Sequence, residues 1–335
     1  MGNRATPSRT FNTVKHSNRE KRMKRHQQER IVLYSICTVV IAILLTLAIF
    51  LGCFIVAKIK ASQPDDPYNN SNTPPAGTQP ITYMALTQAT GAVNSGILQI
   101  VNGENEYQFP TTPSLKGIYD NRVKYDGVSN TYMVNGNNAS WKLHTEALDA
   151  LNQMMLKHYE LFEDGSVTVT SAYRSFEDQQ AIKGSVKAGY SDHHTGFCVA
   201  LKKDGNKDLE SDHWIYGNCY KYGFIVRYPD VKKDQTGVSG YEYCFRYVGV
   251  AHATYIYNNN LCLEEYVELL RSTYNASNHL KITGADGNAY EVYYVPAGTT
   301  EITTMQVPKN YQYTISGDNM NGFIITVNLN APINE

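Results

Sequence analysis

An α+β fold follows from two features of the 335-residue sequence. From Ile81 to about Tyr274, β-branched runs alternate with segments of helical period, and after Asn275 the chain turns strand-rich. The first pattern is that of a mixed domain and the second that of a small antiparallel β module. With 42% hydrophobic residues, there is enough apolar content for one large or two modest domains plus accessory segments.

The elements read in order as follows. Residues 1–30 carry nine Lys/Arg against two Asp/Glu, leaving 21 against 29, a net −8, for the remainder. This basic tail abuts Ile31 to Ala57, an uncharged apolar run longer than the roughly 20 residues that cross a bilayer. A buried core helix keeps a polar stripe, and a signal peptide has an apolar core of roughly 7 to 15 residues and a small-residue cleavage site. Residues 31–57 have neither feature, so they are expected to form an uncleaved transmembrane helix. The positive-inside rule then puts the N-terminus in the cytoplasm and the rest outside. Topology accounts for the basic tail without nucleic acid. Residues 58–80, polar and Pro-rich from Ala61, form a tether.

Beyond the tether, residues 81–274 are expected to form one domain and 275–335 the β module. Asn94 to Phe109 reads as a strand and loop at the domain edge. Leu148, Leu151, Met155 and Tyr159 recur at helical spacing within Trp141 to Phe162, after a Ser140 cap. Val167 to Ser171 is β-branched, and Ser175-Phe-Glu-Asp178 is a capping sequence opening a helix through Ile182. His213 to Tyr222 reads as helical, with Gly223 ending it before the strand Phe224 to Tyr228. Leu263 to Arg271 closes the domain as a helix. His144 and His252 carry no pattern and read as ordinary polar side chains, and Asp212 and His213 as solvent-facing or capping residues.

Four segments stand out, though Asn218 to Pro229 and, within the second, Phe245 to Gly249 read mostly as sheet scaffold. Gly189 to Leu201 reads G-Y-S-D-H-H-T-G-F-C-V-A-L and Thr236 to Gly249 reads T-G-V-S-G-Y-E-Y-C-F-R-Y-V-G. Ser171 to Ser175 is S-A-Y-R-S, and Asn218 to Pro229 is N-C-Y-K-Y-G-F-I-V-R-Y-P. In this order they resemble the VanY-type zinc D-alanyl-D-alanine carboxypeptidases, whose segments have the forms S-E-H-Q-T-G-x-A-x-D, E-P-W-H-F-R-Y-V-G, S-G-Y-R-S and N-A-x-x-Y-G-F-I-x-R-Y-P. The resemblance covers roughly Leu98 to Tyr274. It implies a carboxypeptidase-like mixed domain with an antiparallel sheet, and a cell-envelope setting in which the ligand is peptidoglycan stem peptide ending in D-Ala.

By the same resemblance the first metal ligand is His193, while Ala200, Tyr241 and Cys244 stand where the family has its Asp ligand, its Glu base and its second His. Tyr173, Arg174 and Ser191 fall on the substrate side. A guanidinium offers paired donors to a carboxylate, and the following helix start adds positive partial charge. Alone, Arg174 would read as a solvated arginine beside a cap. Ala200 has no donor atom, and a phenol that titrates near pH 10 is a poor general base. Glu242, next to Tyr241, is the one replacement base. His194, the neighbour of His193 on an extended chain, points the opposite way.

Cys198, Cys219, Cys244 and Cys262 lie outside the expected span, where disulfides are permitted. Cys198 and Ala200 share a strand face, so a Cys198–Cys244 bridge would cross the former metal pocket, and Cys219–Cys262 would join two helices. The competing arrangement is a zinc site on His193, Cys198 and Cys244 with an open fourth position. The leading expectation is therefore a membrane-anchored, catalytically degenerate member without a cofactor, which binds stem peptide or an envelope protein. The alternatives are an active zinc carboxypeptidase with the rebuilt ligand set, and a structural envelope protein.

Overall fold

In a computed structural model the described residues are 79–109, 114–127, 129–135 and 141–333, and they belong to one compact unit. The expected transmembrane run, the basic tail, the tether up to residue 78 and the Ser140 cap lie outside them. Among the described residues no helix is long and apolar enough to cross a membrane.

The elements that position the site are few. Strand β1 (Tyr83–Ala89) is followed by β2 (Met133–Val134), helix α1 (Thr145–Phe162), β3 (Val167–Ser171) and α2 (Phe176–Ala181). Then come β4 (Cys198–Lys203), β5 (Phe224–Val226), β6 (Cys244–Tyr247), α3 (Val250–Asn258) and α4 (Leu263–Thr273). The C-terminal strands are β7 (Leu280–Thr283), β8 (Ala289–Pro296), β9 (Ile302–Pro308), β10 (Tyr311–Gly317) and β11 (Gly322–Pro332). The result is a mixed α+β fold. A central five-stranded sheet has the order β2-β3-β4-β6-β5, antiparallel except at β2–β3.

Local chemistry explains the main boundaries. Helix α1 starts four residues later than its apolar spacing began, because Lys142–His144 pairs with Leu115–Gly117 as a short strand. Ser175 caps α2 reciprocally with Asp178, as its sequence predicts. Gly223 takes φ +82 to end the turn before β5. Residues 94–109 form no strand. Leu98, Ile100, Val101 and Tyr107 are buried in irregular backbone that bonds to the C-terminal segment, with Leu98 N–H donating to Ser316 Oγ (2.8 Å) and Ile100 N–H to Asp318 O (3.0 Å).

Two cores flank the central sheet. Leu148, Leu151 and Met155 of α1 pack on Val199, Leu201 and Phe245. Across the sheet, Ile225 packs with Val267 and Leu270 of α4 and with Ile282, Val292 and Ile324 of the C-terminal strands. Each such side chain contributes about 1.5–3 kcal/mol when fully buried. The change of secondary structure at residue 275 therefore carries one continuous core across it. Strand β1, at the start of the first expected domain, pairs along its whole length with β9 near the end of the second.

The segment before Leu98 is threaded tightly against β10. Gly317 N–H donates to Ser95 O (2.7 Å), and a methyl on Gly317 would overlap the Val93 backbone. Gly317→Ala should cost about 1–3 kcal/mol by overpacking. Chemical denaturation is the check, and Gly91→Ala, where nothing lies within 4 Å of the added methyl, is the matched control.

Candidate metal centre

The centre is built from one turn and two neighbouring strands. Register pairs Cys244 with Ala200 and Arg246 with Cys198. Strand alternation then puts Cys198, Ala200, Cys244 and Arg246 on one face and Val199, Leu201 and Phe245 on the α1 face. Cys198, Ala200, Cys244 and Tyr228 form a small buried cluster with Val238 and Tyr243 at its margin. The turn Asp192–Thr195, released into β4 by Gly196 at φ +73, carries His193 over this cluster.

His193, Cys198 and Cys244 are 7%, 0% and 3% exposed, and their ligand atoms all lie within 4.8 Å of one another. His193 Nε2 is 4.0 Å from Cys244 Sγ, and His193 Nδ1 is buried without a hydrogen-bond partner. Burial pushes the Cys198 thiol well above its usual range, and Cys244 adds to the shift. One imidazole and two thiols are a donor set that zinc accepts, with a fourth position left open. The residues fit the metal.

Neither expected disulfide is formed. All four cysteines are free and buried. Cys198 and Cys244 sit two residues out of register on adjacent strands, with His193 beside them. Cys219 is packed into the core under α1, while the Cys262 side chain caps the start of α4 with Glu265. That pair is thus committed to separate tasks.

Asp192, the residue before His193 in the turn, anchors a buried charge network. Asp192 bonds Arg246 Nη1 through Oδ1, and Arg227 Nε lies 3.3 Å from its Oδ2, off the direction for a hydrogen bond. Arg227 also makes paired bonds to Glu264 at 3.0 and 2.7 Å, and Arg246 Nη2 donates to Ile97 O (2.9 Å). Burial alone would push the Asp192 carboxyl up, but the Arg246 and Arg227 guanidiniums outweigh it and hold it below the usual range. Both arginines are fully buried. Their strands read as scaffold in sequence, and only the register shows them converging on Asp192.

Arg174 and Ser191, two of the expected ligand-binding residues, lie at the His193 turn. Arg174 N–H reaches His193 O (3.3 Å), and His194 N–H reaches Ser191 O (3.0 Å). The Arg174 guanidinium is oriented by Ser171 Oγ at 2.9 and 2.7 Å and by Gln179 Oε1 at 2.8 Å. Tyr173 is half-buried, and burial raises its phenol, with Asp178 and Glu177 adding to the effect. His194 is turned away into the fold, although the pair lies in the helical turn Asp192–Thr195 and not on the extended chain that the sequence suggested. Gly189 N–H donates to its Nε2 (3.0 Å), so the ring proton sits on Nδ1 and is donated to Arg174 O (2.8 Å).

Glu242 is not in the centre. Its Oε1 accepts the Asp230 N–H at 3.0 Å, and it lines a separate groove of about 620 Å³ with Asp208, Asp230, Tyr216 and Tyr257 along the edge strand β5. Tyr241 is exposed. Among the described residues no carboxylate joins the His193–Cys198–Cys244 group.

Residues 180–250 match the family model described as VanY, D-alanyl-D-alanine carboxypeptidase. A D-alanyl-D-alanine carboxypeptidase of Enterococcus faecium is 35% identical over 167 residues, covering 48% of this chain and 53% of that protein. One of Enterococcus faecalis is 37% identical over 124 residues, covering 30% and 46%. The chain spans about half the length of these curated relatives. A crystal structure of the vancomycin resistance D,D-dipeptidase VanXYg, with a D-Ala-D-Ala phosphinate analogue, aligns over 74% of this chain and 99% of that one, with a TM-score of 0.62 and 24% identity. That likeness shows the fold. The segment that matches the VanY-type D-alanyl-D-alanine carboxypeptidase family model contains both strands of the centre and the turn that carries His193.

Proposed function

We propose that this chain is a cell-envelope protein, anchored by residues 31–57, that binds peptidoglycan stem peptides ending in D-Ala and has lost most of the family's hydrolysis. One observation carries the reading. A three-donor metal set is assembled beside the turn whose His193 O accepts the Arg174 N–H, no carboxylate among the described residues joins it, and Glu242 is turned out to the Asp230 loop. The relatives' names supply the ligand class.

His193, Cys198 and Cys244 would hold zinc, which when bound supplies Lewis-acid polarisation of a carbonyl. The other tasks fall to side chains. Arg174, fixed by Ser171 and Gln179, presents its guanidinium to the terminal carboxylate of the peptide. A water attacking the peptide carbonyl must lose a proton, and positioned general bases contribute about 10²–10⁴ in rate. Deprived of that group, the cleft retains binding and loses turnover by about the same factor.

The full chain should carry roughly one zinc per molecule, and Cys244→Ser should lose most of it, as metal analysis and stability with and without chelator will read. A D-Ala-D-Ala-ended peptide should bind, weaken at Arg174→Ala, and release D-alanine slowly. Zinc-dependent release at the rate of the active relatives, abolished by Glu242→Gln, would instead establish the rebuilt enzyme. Absence of both binding and release would leave the structural envelope role.

A further inference from the structure

Among the described residues, strand β1 is paired on one side only. Its two-stranded ribbon with β9 runs through seven register pairs from Tyr83–Pro308 to Ala89–Ile302. Lys309 N–H donates to Thr82 O and Thr90 N–H to Glu301 O, both at 2.8 Å, which fixes the alternation. Even-numbered residues bond across to β9, and the N–H and C=O groups of Tyr83, Ala85, Thr87 and Ala89 point to the opposite edge. Among the described residues nothing bonds that edge. The outer edge of β9 is closed differently, since Gln306 O accepts the Tyr293 hydroxyl (2.7 Å) and Pro308 has no N–H.

Soluble folds protect a bare edge with charge, proline or a bulge. Strand β1 has none of these. No charged residue occurs from Ile81 to Gly103, the β1–β9 register is unbroken, and Tyr83 and Met84 are 40% and 42% exposed. Leu86 packs at the margin of the core formed by Met305, Val307 and Phe323.

We infer that β1 pairs antiparallel with β1 of a second copy of this chain, about a two-fold axis at Leu86. Only that centre uses all four outward residues. Tyr83 then exchanges both bonds with Ala89 of the partner and Ala85 with its Thr87, and the axis repeats both pairs. Large side chains fall opposite small ones, since Tyr83 meets Ala89 and Ala85 meets Thr87. The two Leu86 side chains become a close non-hydrogen-bonded pair that extends the apolar margin across the axis. An uncharged strand meets itself without like-charge repulsion, which a charged partner segment would have no reason to select. The ribbons join into four strands with no bare edge at their centre.

The register makes the test specific. In the full chain with Cys37→Ser and Cys53→Ser, Leu86→Cys should give a covalent dimer with copper(II)-phenanthroline, because directly opposed residues of a non-hydrogen-bonded pair lie within disulfide reach. Met84→Cys alone should not cross-link, since it faces Gln88 of the partner. Two differently tagged chains carrying Met84→Cys and Gln88→Cys should form the mixed dimer. Adding Thr87→Pro, which removes an outward N–H and leaves every β9 bond, should cut the Leu86→Cys cross-link at least tenfold. Thr87→Lys, which keeps the backbone donor and adds like charges, should do the same if the proline variant fails to fold. The inference is overturned by a monomeric Leu86→Cys chain, by equal cross-linking at positions 84 and 86, or by an adduct with a different protein.

Discussion

Asp192→Ala is expected to destabilise the domain by about 3–5 kcal/mol, which denaturant titration will read as a lower midpoint with an unchanged slope. The carboxylate is buried between Arg246 and Arg227. Removing it leaves Arg246 to backbone carbonyls alone and Arg227 to Glu264, at the edge of the network. An interior charge without its counter-ion costs far more than the lost pair was worth. Replacing Arg246 with Met in the same chain should return part of that loss, because the charge most dependent on Asp192 goes with it. The consequence for the centre is direct. Asp192 precedes His193 in the same turn, so zinc affinity should fall about 10–100-fold, the usual cost of losing a group that orients a ligand. In wild-type protein this carboxyl, held low, contributes stability above the ordinary Asp range that is lost as pH falls through its depressed value.

His252 should dominate the acid sensitivity of the fold. Its Nδ1 bonds the Tyr266 hydroxyl of α4 at 2.7 Å, and its Nε2 bonds Thr326 Oγ1 of β11 at 2.9 Å. Burial lowers its pKa from 6.5 to about 3. The unfolded chain therefore binds a proton that the folded chain refuses throughout that window. Stability is complete above about pH 6.5 and falls as pH drops toward 3, by up to about 5 kcal/mol. Denaturation at pH 7, 5 and 4 should show this loss, and His252→Gln should begin less stable at pH 7 and lose less on acidification. A decline of the same size in both proteins would assign it to other groups. His194 and His158, both lowered by burial, add in the same direction.

These two residues also mark where the sequence stopped being legible. The α1 stripe, the Ser175 cap, Gly223 and the strands around the centre were readable because each rests on local period or local backbone chemistry. His252 reads as an ordinary polar residue, since nothing local announces that Tyr266 and Thr326 will enclose it. Asp192 reads as one more acid in a motif until the register of β6 and β5 brings two arginines to it. The cysteines were equally ambiguous, for four thiols in sequence suit either a bridge or a metal. The structure separates the pairs by strand offset at Cys198 and Cys244 and by the helix-capping role of Cys262. Residues 94–109 had the composition of a strand, and bonds to the distant C-terminal strands drew them into irregular, buried backbone.

The ribbon at the start of the fold sets an order in time. Thr82 and its partner Asn310 are 228 positions apart. Strand β1 is thus made among the first of the described residues and is paired among the last. At about 5–20 residues per second the nascent chain spends on the order of ten seconds or more with an uncharged, unpaired strand before β9 exists. Completing that contact requires the largest loop closure in the fold, so it belongs late in folding. A chain released before residue 302 would present β1 unpaired on both edges, and such products should be the aggregation-prone and rapidly degraded ones. The same strand that closes the finished fold is the one that must be guarded while it is being made.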